Sequence, residues 1–385
     1  MNRSVNIRTV NDKKVLNDFV RLPKEIYANN PFYVPDLDVE IRDFFNEDKN
    51  SGLKSAKVQA FVAYDQNNHP VGRIVGIINT RANEKWKSQN VRFGFIEFVD
   101  DIEVSKALIK AVEEWGKKEG MTDIQGPMGL TDFDKEGMLI EDFDQLGSMT
   151  AIYNPPYYPK HMEALGFVKE VDWVQIRVKI PKTVPEKFAR VCELVKDRYK
   201  IYIKKLTKKQ IMGEYGKKIF DILNSAYEPL FGFVALTPAQ VQDFVSRYLP
   251  LADPELITLI ENEQNEAIGV AISMGSLAKA LNKSKGSLFP FGWYHLLKSL
   301  YIKHEDTVEL MLIGLLPEYQ GKGINSLFFC DLVACFNKKH YLYAETGPQL
   351  ENNQKELMQW TLFDHKLVKR RRCYTRKIEN NVNDY

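Results

Sequence analysis

The sequence predicts an α/β protein of two domains, and three observations carry the prediction. The chain has 385 residues, more than one hydrophobic core usually supports, so two domains of about 200 residues each are expected. One order of elements, a strand and two helices followed by a hairpin and then mixed strands and helices, occurs twice. The second occurrence contains Val308 to Cys335, VELMLIGLLPEYQGKGINSLFFCDLVAC, which reads as an apolar strand, a glycine loop and an amphipathic helix.

The first half opens with a strand at Val5 to Val10 and a helix at Lys14 to Tyr27, whose Val15, Leu16, Phe19 and Val20 recur at helical spacing. Asn30 to Pro35 breaks the pattern, and Leu37 to Phe45 restarts a helix. Val58 to Tyr64 and Val71 to Ile78 form a hairpin about a polar turn with Asn67 and Asn68; Gly72 and Gly76 lie inside its second strand. A strand at Val91 to Phe98, a helix at Val104 to Lys117, extended chain at Asp123 to Gly126, a short helix at His161 to Leu165 and a strand at Phe167 to Lys179 complete this half. Residues 181–187, beginning PKTVP, form the expected linker between domains 1–180 and 188–385.

The second half repeats the order: a strand at Ile201 to Leu206, helices at Lys209 to Tyr227 and at Pro238 to Tyr248 with Thr237 as N-cap, and a hairpin of Leu256 to Glu261 with Ile268 to Met274. Gly269 matches Gly72, each just past a polar turn. After the central strand and its loop come a strand at Tyr341 to Glu345, a helix at Gln354 to Phe363 and a last strand at Lys369 to Arg376. The basic run Lys369 to Arg372 reads as a solvated strand edge that resists pairing with other chains.

Composition narrows the function classes. With 44% hydrophobic and 12% aromatic residues the chain is a packed globular protein, with disorder expected only in the last few residues. A net charge of +2 offers no general attraction for nucleic acid, and no nucleic-acid partner is expected. The four cysteines have neither C-x-x-C spacing nor a histidine partner at zinc spacing, so no metal is expected. The N-terminus, MNRSVNIRTVNDKK, lacks the apolar run of a signal peptide, and nowhere do about 20 apolar residues follow one another, which reads as a soluble, cytoplasmic protein.

Strand, glycine loop and helix N-terminus together make an anion site, because unpaired amides and the positive end of the helix dipole meet where glycine lets a phosphate approach. The spacing is neither the dinucleotide-binding nor the P-loop pattern, since no further glycine follows Gly323 at the required distance and no Gly-Lys-Ser/Thr is present. Gln320-Gly321-Lys322-Gly323-Ile324-Asn325 instead resembles the acyl-CoA loop of the GNAT acetyltransferase superfamily, departing from it at Asn325, where that family has Gly or Ala. The resemblance implies two GNAT-like domains, each a mixed, mostly antiparallel twisted sheet flanked by helices. It also implies acetyl-CoA or another acyl-CoA as co-substrate, held by Leu315, Leu316, Gln320, Gly321, Lys322, Gly323, Ile324, Asn325 and Asn353, with the Leu315 N–H polarising the thioester. At the matching point of the first half, Val99 to Val104 has no glycine and three carboxylates, which would repel a pyrophosphate, so residues 1–180 are expected to be a degenerate copy without cofactor.

The reaction implied is direct N-acyl transfer, in the first instance acetyl, to a primary amine on a small molecule or peptide. Glu309 is either its base, with a pKa raised in the cleft, or a solvated residue at the strand start. Asn353 either holds the pantetheine arm or starts a helix. Trp360 stands where the family has a proton-donating tyrosine, and an indole N–H cannot serve; Tyr343, or Tyr341, is either the substitute or a core or interface residue of its strand. The aromatic segment within Ser276 to Ile302 reads as a wall of the acceptor cleft or as core against the first domain. A non-catalytic acyl-CoA-binding protein and an aminoacyl-tRNA-dependent transferase are the alternatives, and oligomeric state is open.

Overall fold

The computed structural model describes residues 5–379, so the loosening expected of the last few residues lies outside the described residues. The chain divides into two compact units. The first comprises the chain up to Val174, Ala280–His295, and the chain from Lys369 onward; the second comprises Gln175–Lys279 and Leu296–Val368.

In the first unit, β1 (Asn6–Thr9), β2 (Ala56–Tyr64), β3 (Pro70–Asn79) and β4 (Asn90–Phe98) form an antiparallel meander, and β5 (Asp123–Gly126) pairs parallel with β4. Helices α1 (Lys13–Ile26) and α2 (Asp38–Phe44) separate β1 from β2, α3 (Thr80–Trp86) follows β3, and α4 (Ile102–Lys118) crosses from β4 to β5. Strand β6 (Met138–Glu141), helix α5 (Tyr157–Ala164) and strand β7 (Val168–Lys179) follow.

The second unit continues with α6 (Glu186–Tyr199), β8 (Tyr202–Lys204), α7 (Lys208–Met212), α8 (Glu214–Tyr227), α9 (Pro238–Tyr248), β9 (Ile257–Glu261) and β10 (Ala267–Gly275). After α10 (Ala278–Ser284) and α11 (Gly292–Tyr301) come β11 (Thr307–Leu315), α12 (Ser326–Lys338), β12 (Tyr343–Thr346), β13 (Gln349–Leu350), α13 (Gln354–Leu357) and β14 (His365–Lys377). Its sheet repeats the topology of the first: β8 to β11 form an antiparallel meander, and β12 pairs parallel with β11 through the crossover helix α12. The glycines matched in sequence have one physical role. A Cβ on Gly72 would lie 2.7 Å from Leu108 of α4, and one on Gly269 would lie 3.1 Å from Phe328 of α12, so each admits a crossover helix against its sheet. Phe188, Cys192, Leu327, Phe328 and Leu332, from α6 and α12, pack with Ile260 and Ile268 in the second unit's core.

The last strand of each sheet is not where sequence order would put it. In the second unit β12 pairs antiparallel with Arg177 to Lys179 of β7, whereas Tyr374 to Lys377 of β14 pair with β5 of the first. The expected division at 181–187 therefore corrects to a crossing within β7, and 181–187 lies inside the second unit. The basic run also needs correction. It lies in a strand that pairs with β5 and β6, and its alternate residues Lys369 and Arg371 are buried, while Arg370 and Arg372 reach Asp172 at 3.3 and 2.8 Å. The helix expected over Lys209 to Tyr227 breaks at Gly213, which closes α7 and opens α8. Of Gln354 to Phe363 only the first turn is α-helical, and Met358–Leu362 is 3-10 helix.

Candidate active site

The glycine loop has the form its residues predict. Strand β11 ends at Leu315, a 3-10 turn occupies Pro317–Tyr319, and Gly321 and Gly323 take φ of +72° and +78°, the left-handed region open to glycine at little cost. Gln320 closes the loop by donating to the Leu315 carbonyl at 2.9 Å, and buried Ile324 pins it to the core beneath. Among the described residues, the backbone N–H groups of Gly321, Lys322, Gly323, Ile324 and Asn325 have no acceptor, which is the arrangement an anion at a helix N-terminus requires. Lys322 adds a positive charge, its Nζ 5.4 Å from the ring centres of Tyr199 and Tyr319. The amide of Asn325 donates to Gln359 at 3.1 Å. Leu316 differs from its neighbours, since its N–H is already bonded to Ile268 at 2.9 Å.

Below the loop the central strands part. Pairing of β11 with β12 runs only from Thr307 opposite Tyr343 to Leu310 opposite Thr346, although β11 continues to Leu315. A bulge against β10 between Ile272 and Ser273 bends β11 at the same level. β12 is held apart by Thr346, whose hydroxyl accepts the N–H of Ile176 at 3.0 Å and whose carbonyl accepts from Gln175 at 3.0 Å. The gap is a cavity of about 110 Å³, lined by Leu310 to Ile313 of β11, by Thr346 to Gln349, and by the apolar side chains of Phe328, Phe329, Leu332, Phe336, Trp360 and Phe363.

Two polar side chains of this wall, Tyr227 and Glu356, can take part in proton or charge chemistry and are not among the residues expected from sequence. Tyr227, the last residue of α8, accepts the N–H of Ile313 at 3.2 Å. In an antiparallel strand, residues two apart turn their backbone groups to the same side, so the N–H of Leu315 points the same way as that of Ile313. Burial pushes the Tyr227 phenol well above its ordinary pKa, and the charge of nearby Glu356 adds to the effect. Glu356 is held by two donors, Gln349 to Oε1 at 2.7 Å and Asn353 to Oε2 at 2.9 Å. It is only partly covered by area, but its carboxyl lies at the cavity wall, where loss of water raises its pKa against the opposing Gln349 bond. Asn353 precedes α13 and its amide is bonded to Glu356. An acid three residues after that asparagine was the available signal for Glu356; nothing local marks Tyr227.

Glu309 and Tyr343 are not among the cavity's lining residues. Glu309 is neither solvated nor in the gap. It is buried in the paired half of β11, opposite Glu345, and accepts from Ser276 at 2.9 Å. Tyr343 begins β12, 5.8 Å from the Arg177 guanidinium, and Tyr341 is buried against His304. Trp360 is core, its indole N–H donating to Gln349 at 2.9 Å. Among the described residues no group of three or more His, Cys, Asp or Glu is placed to hold a metal ion.

In the first unit the corresponding gap is filled by its own side chains. Buried Glu97 of β4 accepts from Tyr27 at 2.5 Å and from Tyr158 at 2.8 Å, and Tyr158 also accepts the N–H of Phe98 at 2.9 Å. At the start of α4, Asp101 caps the Glu103 N–H at 3.0 Å and Asp100 pairs with His161 at 3.1 Å. Side-chain carboxylates therefore stand where the second unit offers free amides.

This fold is that of the GNAT acetyltransferases in tandem arrangement. The structure is similar over 98% of this chain to the whole of a tandem GNAT protein from the clavulanic acid biosynthesis pathway, with a TM-score of 0.56 at 10% identity. In sequence the chain is similar to Protein YghO of Escherichia coli (strain K12), 29% identical over 322 residues, 83% of this chain and 80% of that protein. It is also similar to a bacterial ceramide synthase of Caulobacter vibrioides (strain NA1000 / CB15N), 26% identical over 329 residues, 83% of this chain and 82% of that one. No protein-family model matches the chain.

Proposed function

We propose that this chain is an acyl-CoA-dependent N-acyltransferase with one acyl-CoA site, in the second unit, acting on a primary amine. The observation that carries the reading is the alignment along β11 of a phosphate-competent loop, Gly321 to Asn325, with a cavity whose wall carries the Tyr227 hydroxyl and a desolvated carboxylate, Glu356. The loop amides and Lys322 would hold the pyrophosphate, and the parted strands would receive the pantetheine arm.

Glu356 takes the proton that the amine must lose to attack the thioester carbonyl; its raised pKa suits a base working near neutrality. Tyr227 has too high a pKa to give its proton to a thiolate, whose conjugate acid has a pKa of about 8.5. Tyr227 therefore acts as a hydrogen-bond donor to the charge developing during attack, and its bond from Ile313 fixes the hydroxyl oxygen for that role.

The name of the Caulobacter relative supports a chain longer than acetyl, since a ceramide is the amide of a fatty acid with a long-chain amino alcohol. The test is thiol release from acetyl- and palmitoyl-CoA with a panel of primary amines that includes long-chain amino alcohols. The reading predicts amine-dependent release, faster with palmitoyl-CoA. Bound CoA with no release for any amine would make the protein a non-catalytic binder.

A further inference from the structure

The segment between β10 and β11 leaves one face without a partner. Helix α11 turns Gly292, Leu296 and Ser299 inward, whereas Trp293, Leu297 and Tyr301, at i, i+4 and i+8, form an outward stripe. Phe289 and Phe291 precede this stripe at 78% and 70% exposure, and Ile302 follows it at 76%. Single exposed apolar residues are ordinary, but a contiguous run of bulky aromatic and aliphatic side chains marks an interaction surface.

Charge decides what that surface meets. From Ser276 to His304 the sequence has five lysines, Lys279, Lys283, Lys285, Lys298 and Lys303, and no Asp or Glu. Acids at the borders of this stretch are engaged: Asp36 with Lys135 at 2.5 Å, Asp38 with Lys24 at 2.6 Å, Glu305 with the backbone N–H of Lys279 at 2.8 Å and Asp306 with the Lys279 ammonium at 3.6 Å. Trp and Tyr with exposed aliphatics, rimmed by lysine, is the composition of a segment that lies in a membrane interface, with rings at headgroup depth and ammonium groups on anionic lipid. A second copy of the same face would bring lysine against lysine. Among the described residues no helix is long and apolar enough to cross a membrane.

We infer that Phe289 to Ile302 is an interfacial docking surface through which the protein binds the anionic face of a phospholipid bilayer. The inference does not depend on the acyltransferase reading. It is tested by flotation of the full chain with phosphatidylcholine vesicles, with and without about 30 mol% phosphatidylglycerol. Wild type partitions at least about tenfold more onto the anionic vesicles. Binding falls as salt rises from about 0.1 M to about 1 M, where the screening length shrinks from about 10 Å to about 3 Å. The triple variant Phe289→Ser, Phe291→Ser, Trp293→Ser loses about tenfold or more of that partition, with wild-type melting temperature and circular dichroism. A second variant, Lys298→Glu with Lys303→Glu, loses the salt-sensitive part. Absence of binding to anionic vesicles, or equal binding by wild type and the triple variant, overturns the inference. A wild-type dimer that the triple variant converts to monomer, without vesicle binding, overturns it in favour of a second copy.

Discussion

The hydroxyl of Tyr227 meets the backbone N–H of Ile313 at 3.2 Å, at the point where β11 has left β12. This contact places an O–H donor beside the part of β11 that no longer pairs with β12, and it joins the end of α8 to the cavity wall.

Tyr227→Phe keeps the ring and removes the hydroxyl. We expect kcat to fall about a hundredfold with KM for acyl-CoA nearly unchanged, because the lost interaction is with charge that develops only during attack. Steady-state kinetics with a fixed amine check this; a rise in KM alone would assign Tyr227 to ground-state binding.

Glu356→Gln tests the base. With the Glu356 pKa raised, the wild-type profile of kcat/KM has an acid limb above the ordinary carboxylate range, rate being lost as falling pH protonates Glu356. The variant is slower by about 10² to 10⁴ and lacks that limb. An unchanged limb in the variant would place the base elsewhere.

The extent to which this site could be read from sequence follows from the range of the interactions that make it. Gly321 and Gly323 were legible because left-handed backbone is a local demand. The pairing of β14 with β5 was not, since only neighbours distant in sequence decide which sheet receives the strand. The same cause misled the reading of Lys369 to Arg372: alternation along the strand was correct, but what lay on either side was not. Tyr227 owes its role to Ile313, 86 positions away. Glu309 has a side chain suited to a base but lies one residue before the strands part, bonded to Ser276.

Glu97 predicts a pH-dependent stability. Burial raises its pKa to about 7, against the opposing Arg73 charge and the two tyrosine bonds. The folded state therefore binds this proton more tightly than the unfolded state does. The stabilisation is complete below about pH 4 and is lost as pH rises through 7, a change of about 3 kcal/mol. Glu97→Gln should flatten this slope, and denaturant melts between pH 4 and 8 measure it. Parallel slopes for the two proteins would contradict the assignment.

Gly321→Ala separates strain from blockage in the loop. A Cβ at Gly321 meets nothing within 4 Å, so the φ of +72° alone is penalised, at about 1 kcal/mol. The variant should melt slightly lower and bind CoA only a few-fold more weakly. Loss of binding as complete as that from a carboxylate in the loop would show that backbone geometry, not charge, dominates recognition.

The most direct test of the central claim is calorimetric titration of CoA into wild type and Gly323→Asp, which sets an anion among the five free amides at a residue whose φ is +78°. The account predicts one site per chain in wild type and no measurable binding in the variant. Unchanged affinity in Gly323→Asp, or two sites per chain, would contradict it.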